Sequence, residues 1–339
     1  MIMTDMPKSS VPLPPDLREG MTCWALTGGL IGCDVQVVGV AEALGFVPEL
    51  KHVSPPPPFR WLAPYCPAPP MPGIAAPWPD LLIACGRQAV PFARAIRRRT
   101  GGRTYTVFLQ DPRIDPSNFD LVWAPAHDRL EGPNVISTLV SPHGLTRAKL
   151  AAETARIAPE VAHLPHPRIA VLLGGTNSAY TLSEEAAARI GTELAALAER
   201  EGAGLMVTAS RRTGAAQEKA IRERIAGTSA VMWDGTGPDP YFGYLGSADA
   251  IVVTCDSVNM VGEATFAGKP VHVIEMTPER PHKARKFRQF LDALYMQGAA
   301  RPFQGRLERW ECEPLNATNE IAQAIAAGLT QHIMRLRKG

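Results

Sequence analysis

Residues 168–190 read RIAVLLGGTNSAYTLSEEAAARI, and this stretch decides the fold. Its first part is a continuous apolar run, far shorter than the roughly 20 residues of a membrane span and suited to a strand buried on both faces. Gly174 and Gly175 end the run. Thr181 or Ser183 can then cap a helix whose apolar residues recur at helical spacing. A buried strand, a glycine turn and an amphipathic helix make one βα unit, and repetition of that unit predicts a mainly parallel sheet covered on both faces.

The unit repeats in both directions. Toward the C terminus the pattern predicts strands at 204–208, 230–233, 250–254 and 271–275, with helices at 182–200, 215–225, 258–267 and 281–294. Toward the N terminus it predicts strands at 21–27, 47–53, 80–85, 104–109 and 119–124, with helices at 34–44 and 86–99. Residues 158–167, APEVAHLPHP, hold three prolines and two histidines without periodicity and read as a linker. The expected organisation is therefore a flexible tail at 1–20, a Rossmann-like domain at 21–157, a linker at 158–167, a second Rossmann-like domain at 168–316, and a helix at 317–339 crossing back to the first domain. The fold class is α/β: two doubly wound domains of similar size facing a cleft. Twelve prolines between Pro48 and Pro79 forbid helix and central strand there. The excursion at 54–79 reads either as surface chain or as an acceptor-side loop offering Trp61, Leu62, Tyr65 and Trp78.

Composition closes off other classes. With 339 residues, 45% apolar and 20% charged, the chain is not disordered, and two domains fit better than one. A net charge of +2 gives no reason to expect a nucleic-acid binder. The six cysteines form no CxxC pair, and those in apolar segments are expected reduced and buried. The first 20 residues lack the apolar core of a secretory signal, so the chain reads as cytoplasmic.

Ligands of open parallel sheets bind beyond the carboxyl ends of the strands. Four loops fall there in the second half: GGTNSAY at 174–180, ASRRTG at 209–214, DGTGPDPY at 234–241 and CDSVN at 255–259. Gly175, Thr176 and Asn177 can hold phosphate oxygens through amides and hydroxyls, or simply form a tight turn. Ser210, Arg211, Arg212 and Thr213 set two planar guanidiniums beside two hydroxyls, a diphosphate clamp or a solvated pair. Asp256, Ser257, Asn259 and Met260 open a helix whose start favours an anion, and Glu263 further along could accept from ribose hydroxyls. GxxxxGK[ST] and GxGxxG are both absent at the 174–180 loop.

The stretch VTCDSVNMVGEATFAGKPVHV resembles the donor-binding helix of GT-B glycosyltransferases, and VLLGGTNS resembles the glycine-rich loop of the bacterial lipid II-forming N-acetylglucosaminyltransferase. WALTGGLIGCDVQVVGVAEALG, LIACGRQAVPFARAIRR, QDPR, GPNV, ASRRTG, WDGTGPDPYFGYLGSADAIVVTCDSVNM and KARKFRQF with GAARPFQGRLERW are similar to the mitochondrial-fission protein family shared by plants and bacteria. That resemblance covers nearly the whole chain. It implies a GT-B-like fold without a settled reaction; plant members are associated with recruiting a dynamin-related protein to mitochondria. Many bacterial relatives carry a TDGKAGH-like loop where this chain has Gly28, Leu30 and Cys33 in place of the acid, lysine and histidine. Gly29, Gly32, Asp34 and Gln36 keep the pattern.

These readings combine into an expected metal-independent, cofactor-free glycosyltransferase that moves a sugar from a nucleoside-diphosphate sugar to an envelope or lipid acceptor. Arg211 and Arg212 would take the departing charge. The base would be Asp111, with Asp34, His127 and His143 as further candidates. Arg94, Arg97, Arg98, Arg99 and Arg103 could dock on anionic membrane headgroups at the inner face of the membrane, or form a solvated helix end. The rival readings are a non-catalytic GT-B-shaped adaptor in membrane or division processes and a nucleotide-sugar epimerase.

Overall fold

A computed structural model describes residues 13–338 of the chain. Two compact units emerge, one of Met1–Gly144 with Asn316–Gly339, the other of Leu145–Leu315.

In the first unit α1 (Pro15–Arg18), β1 (Cys23–Thr27), α2 (Ile31–Ala43), β2 (Glu49–His52), α3 (Phe59–Leu62), β3 (Leu81–Cys85), α4 (Val90–Arg99), β4 (Tyr105–Leu109), β5 (Leu121–Pro125) and β6 (Val135–Thr138) follow in order. All six strands are parallel, in the spatial order β2-β1-β3-β4-β5-β6. Every residue of β1, β3, β4 and β5 is buried, which is why their sequences read as unbroken apolar runs. The chain steps from β1 to β2 on one side and then to β3 on the other, so strand order reverses between β1 and β3.

The second unit runs through α5 (Arg147–Val161), β7 (Arg168–Leu173), α6 (Glu184–Glu201), β8 (Gly204–Ala209), α7 (Ala215–Ile225), β9 (Ala230–Met232), α8 (Tyr241–Ser247), β10 (Ala250–Thr254), α9 (Val258–Phe266), β11 (Val271–Ile274), α10 (Pro281–Met296) and β12 (Arg301–Pro302). Its parallel sheet has the order β12-β11-β10-β7-β8-β9, the doubly wound Rossmann arrangement, with the reversal between β7 and β10. Helix α6 shows how local chemistry sets the ends. Ser183 Oγ accepts the Ala186 N–H at 3.2 Å, Glu184 and Glu185 occupy the first turn, and Gly202 at φ 61° closes the C terminus by donating to the Ala198 carbonyl.

Three expectations need correction. Residues 158–167 are not a linker throughout: α5 continues to Val161, and the boundary between units falls at Gly144 and Leu145. Helix α5 buries Leu150, Ile157 and Val161 and packs on α8. The two approach closely because Gly243 and Gly246 carry no side chain: a Cβ would come 2.5 Å from Ile157 and 1.9 Å from the Thr154 hydroxyl. Pro159 sits in the last turn, where it breaks the pattern without breaking the helix. Within the tail expected at 1–20, α1 is helical and Leu13 is fully buried; residues 1–12 lie outside the described part. The proline-rich excursion is only partly surface chain, since Ala68, Met71, Ile74 and Trp78 pack on the first unit's core and Trp78 meets Trp24 edge-on at 6.0 Å. The last helix, α11 (Ala317–Lys338), packs on α2 and on β4–β6 and places Asn316–Gly339 in the first unit.

Candidate functional site

Loops leaving β7, β8 and β10 converge at the reversal point of the second sheet, and they are bound to one another around Asp256. The Asp256 side chain is wholly buried and lies 3.1 Å from Arg212 Nη2. Its Oδ2 accepts the Gly175 N–H at 2.9 Å and its Oδ1 accepts the Thr254 hydroxyl at 2.7 Å. Thr254 Oγ1 in turn accepts the Gly174 N–H at 2.7 Å. Both glycines are steric requirements: a Cβ on Gly174 would stand 2.0 Å from Asp256 Oδ1, and one on Gly175 would stand 2.0 Å from the Arg212 carbonyl oxygen. Thr176 N–H donates to that carbonyl at 3.1 Å. Asn177 Nδ2 donates to the Asp256 carbonyl at 2.9 Å while its Oδ1 accepts from Ala179 and Tyr180. Ser210 Oγ accepts the Arg212 N–H at 3.2 Å, and the buried Thr213 hydroxyl donates to the Leu173 carbonyl at 3.2 Å.

Seven expected nucleotide-sugar ligands are thus brought together: Gly175, Thr176, Asn177, Ser210, Arg212, Thr213 and Asp256. Two cannot serve as ligands. Asp256 spends its carboxylate on internal donors, and Thr213 is buried with its hydroxyl braced against backbone. Ser257 caps α9 by accepting the Met260 N–H, which leaves the first-turn amides of Val258 and Asn259 without intrahelical acceptors. Arg211 is exposed and has no ion-pair partner among the described residues. Glu263 lies further along α9. It accepts the Tyr241 hydroxyl of α8 on Oε2 at 2.8 Å, and burial pushes its carboxyl up to about 7.

At the reversal point of the first sheet, Asp34 at the start of α2 receives the Thr27 hydroxyl on Oδ1, and its Oδ2 lies 3.0 Å from His52 Nε2. His52 ends β2, and half of its ring is open to solvent. Gly29 N–H donates to Thr27 Oγ1 at 3.0 Å, so the altered loop at 27–33 still makes a closed turn. Beneath it Cys85 Sγ donates to Gln36 Oε1 at 3.7 Å; the Cys85 thiol lowers Cys33, and Cys33 with burial raises Cys85. Gln36 Oε1 accepts from Gln110 Nε2 at 3.1 Å.

Asp111, the expected base, is engaged: its Oδ1 accepts the Arg113 N–H at 2.8 Å and its Oδ2 lies 3.2 Å from Arg113 Nε. His143 is buried, with its backbone bonded to Thr318, and His127 lies 3.9 Å from Asp128. His52 escaped the sequence reading because its partner lies 18 positions away; its place at the end of a parallel strand was the usable signal. Within the arginine cluster, Arg97 pairs with Asp120 at 2.9 Å, Arg99 lies over the Trp78 ring, and Arg103 Nε donates to the Thr100 carbonyl. Those three also make contacts within the first unit, while Arg98, Arg99 and Arg103 stay exposed. No helix among the described residues is long and apolar enough to cross a membrane.

Two units, each with a parallel doubly wound sheet and a glycine-bearing loop at its reversal point, define a two-unit Rossmann-like α/β protein. The chain belongs to the family described as Mitochondrial fission ELM1, which it matches over residues 32–329. It is 30% identical over 286 residues to the Mitochondrial fission protein ELM1 of Arabidopsis thaliana, covering 76% of this chain and 66% of that protein. The match therefore spans just under two thirds of the plant protein's length. It is 23% identical over 290 residues to the Uncharacterized protein RP120 of Rickettsia prowazekii, covering 74% of this chain and 80% of that one. The solved structure of Acinetobacter baumannii MurG is similar at 14% identity and a TM-score of 0.48, covering 94% of this chain and 95% of that one.

Proposed function

We propose that this chain is a metal-independent glycosyltransferase of GT-B type, taking a nucleoside-diphosphate sugar on its second unit and an envelope or lipid acceptor on its first. The observation that carries the reading is the loop knot at the second reversal point. It leaves Arg211, the free edge of Arg212, exposed Thr176 and the first-turn amides of α9 as an anion-binding set backed by a rigid frame. Preorganised cations and amides of this kind stabilise charge developing on a departing diphosphate. No cofactor enters the reaction.

The Asp34–His52 pair supplies the base. With the His52 Nε2–H donated to Asp34, the Nδ1 lone pair is free to take the acceptor hydroxyl's proton while the oxygen attacks the anomeric carbon and the sugar–diphosphate bond breaks. Asp34 was one of two expected catalytic residues; in this reading it orients His52, and Asp111 braces Arg113. The test is transfer assayed with a nucleotide-sugar panel. His52→Asn and Asp34→Asn are expected to lower kcat by about 10²–10⁴-fold with nucleoside diphosphate binding unchanged. Unchanged kcat in both variants contradicts the base assignment.

A second reading, a non-catalytic adaptor acting in membrane or division processes, is favoured by one observation: Asp256 already occupies Arg212 and the Gly175 N–H, two groups that could otherwise meet a phosphate. The name of the Arabidopsis relative points the same way. Absence of any nucleoside diphosphate binding by the folded protein selects it. Sugar interconversion without acceptor would instead mark a nucleotide-sugar epimerase.

A further inference from the structure

We propose that an open cavity of about 590 Å³ on the first unit, walled by Trp61, Leu62, Tyr65, Arg87 and Arg113, binds the phosphate-headed end of an amphiphile. This rests on the transferase reading only in taking that amphiphile, through a hydroxyl it carries besides its phosphate, as the acceptor; the binding itself does not depend on it.

Position argues first. Arg87 follows β3 and Arg113 follows β4, so both guanidiniums stand at carboxyl ends of adjacent strands, where ligands of parallel sheets bind. The wall opposite them is unusual for a surface. Trp61, Leu62 and Tyr65 are 69%, 54% and 74% exposed, three large apolar side chains from one short segment left in water. Exposed apolar groups gathered beside charged ones mark binding surfaces.

The cationic side is held in place before any ligand arrives. Arg113 has φ 60° and Gln110 φ 81°, left-handed backbone that residues other than glycine adopt only where their surroundings hold it. Asp111 does the holding, through the Arg113 N–H and Nε contacts. Arg87 Nη2 donates to the Arg60 carbonyl at 3.3 Å, which steers that side chain along the rim. A guanidinium has five N–H donors, so each arginine retains several for a ligand. Two of them lining one opening suit a doubly charged phosphate monoester bound through planar forks. Indole, phenol and leucine side chains beside such a head group suit an alkyl or isoprenoid chain. The occupant is therefore a lipid-like phosphate monoester, drawn either from a bilayer or from solution.

Calorimetric titration of the full chain with dodecyl phosphate, and sedimentation with phosphatidylcholine vesicles carrying or lacking phosphatidic acid, separate those sources. Saturable binding of dodecyl phosphate is expected, weakened about tenfold or more by Trp61→Ala and by Arg87→Met, with dodecyl maltoside and inorganic phosphate each binding far less well. Arg113 also braces its turn, so Arg87→Met, in a separate loop, keeps the test sound if Arg113→Met loses structure by circular dichroism. Added sedimentation with phosphatidic acid vesicles assigns the bilayer as source; none assigns a soluble ester. No binding of dodecyl phosphate, or binding indifferent to both Trp61→Ala and Arg87→Met, overturns the proposal. Nucleoside diphosphate affinity measured on the same samples keeps the two ideas apart. Its loss with dodecyl phosphate binding intact strikes the transferase reading alone, and the reverse strikes only this one.

Discussion

Gly174 and Gly175 stand where any side chain would strike a neighbour, and the two collisions differ in kind. An alanine at 174 meets the end of the Asp256 side chain, whereas one at 175 meets the backbone of Arg212, which can move only with its whole loop. Gly175→Ala is therefore expected to cost about 1–3 kcal/mol in urea unfolding and to abolish anion binding, with Gly174→Ala the milder change. Asp256→Ala should destabilise more than Arg212→Ala. The first strands an arginine that is 41% exposed and can be hydrated, but also strips acceptors from the buried Gly175 N–H and Thr254 hydroxyl. Equal losses would contradict the hub assigned to Asp256. Glu263 gives a pH signature. Its folded carboxyl is raised to about 7 by burial, so the folded state holds a proton that the unfolded chain releases near its ordinary value of 4.5. This contribution to stability is complete below pH 4.5 and is lost as pH rises through 7, up to about 3 kcal/mol in all. Glu263→Gln should flatten that decline in unfolding free energy between pH 4.5 and 7.5; parallel curves would exclude the effect.

At the scale of elements, α5 packs closely on α8 through two glycines. Gly243→Val would drive two methyls into Ile157 and the Glu153 carbonyl, and a loss of several degrees in thermal midpoint is expected, more than for Gly227→Val, where nothing lies within 4 Å. Both α5 and α8 escaped the sequence reading, as did the single turns α1 and α3. Pro159 and the neighbouring histidines look like linker chemistry, while the evidence against that, Leu150 and Ile157 against α8, lies more than 80 residues away. The buried strands β1, β3, β4, β7, β8 and β10 were legible because both faces are apolar. β6 and β12 were not, being short edge strands of four and two residues. The same contrast holds for the site. Loop position at strand ends was readable from alternation alone. Which polar groups face inward was not, since Asp256, Glu263 and Asp111 are each satisfied by long-range or turn partners that no spacing rule encodes.

For the whole molecule, the account assigns each unit a task set by its own reversal point. In the proposed division of labour the second unit holds a nucleoside diphosphate, while the first deprotonates an acceptor hydroxyl through Asp34 and His52 and seats a phosphate head beside Trp61 and Arg87. The membership in the mitochondrial fission family, shown over residues 32–329, leaves that division of labour open to experiment. The transferase reading depends on an anion entering the loop knot of the second unit. The most direct measurement is calorimetric titration of the full chain with UDP, GDP, ADP and CDP, repeated on Arg211→Ala, whose guanidinium is exposed and braces nothing among the described residues. Saturable one-to-one binding of at least one diphosphate, weakened about tenfold or more in a variant that melts like the parent, is the expected result. A folded parent that binds none of the four, or a variant that binds equally well, contradicts it.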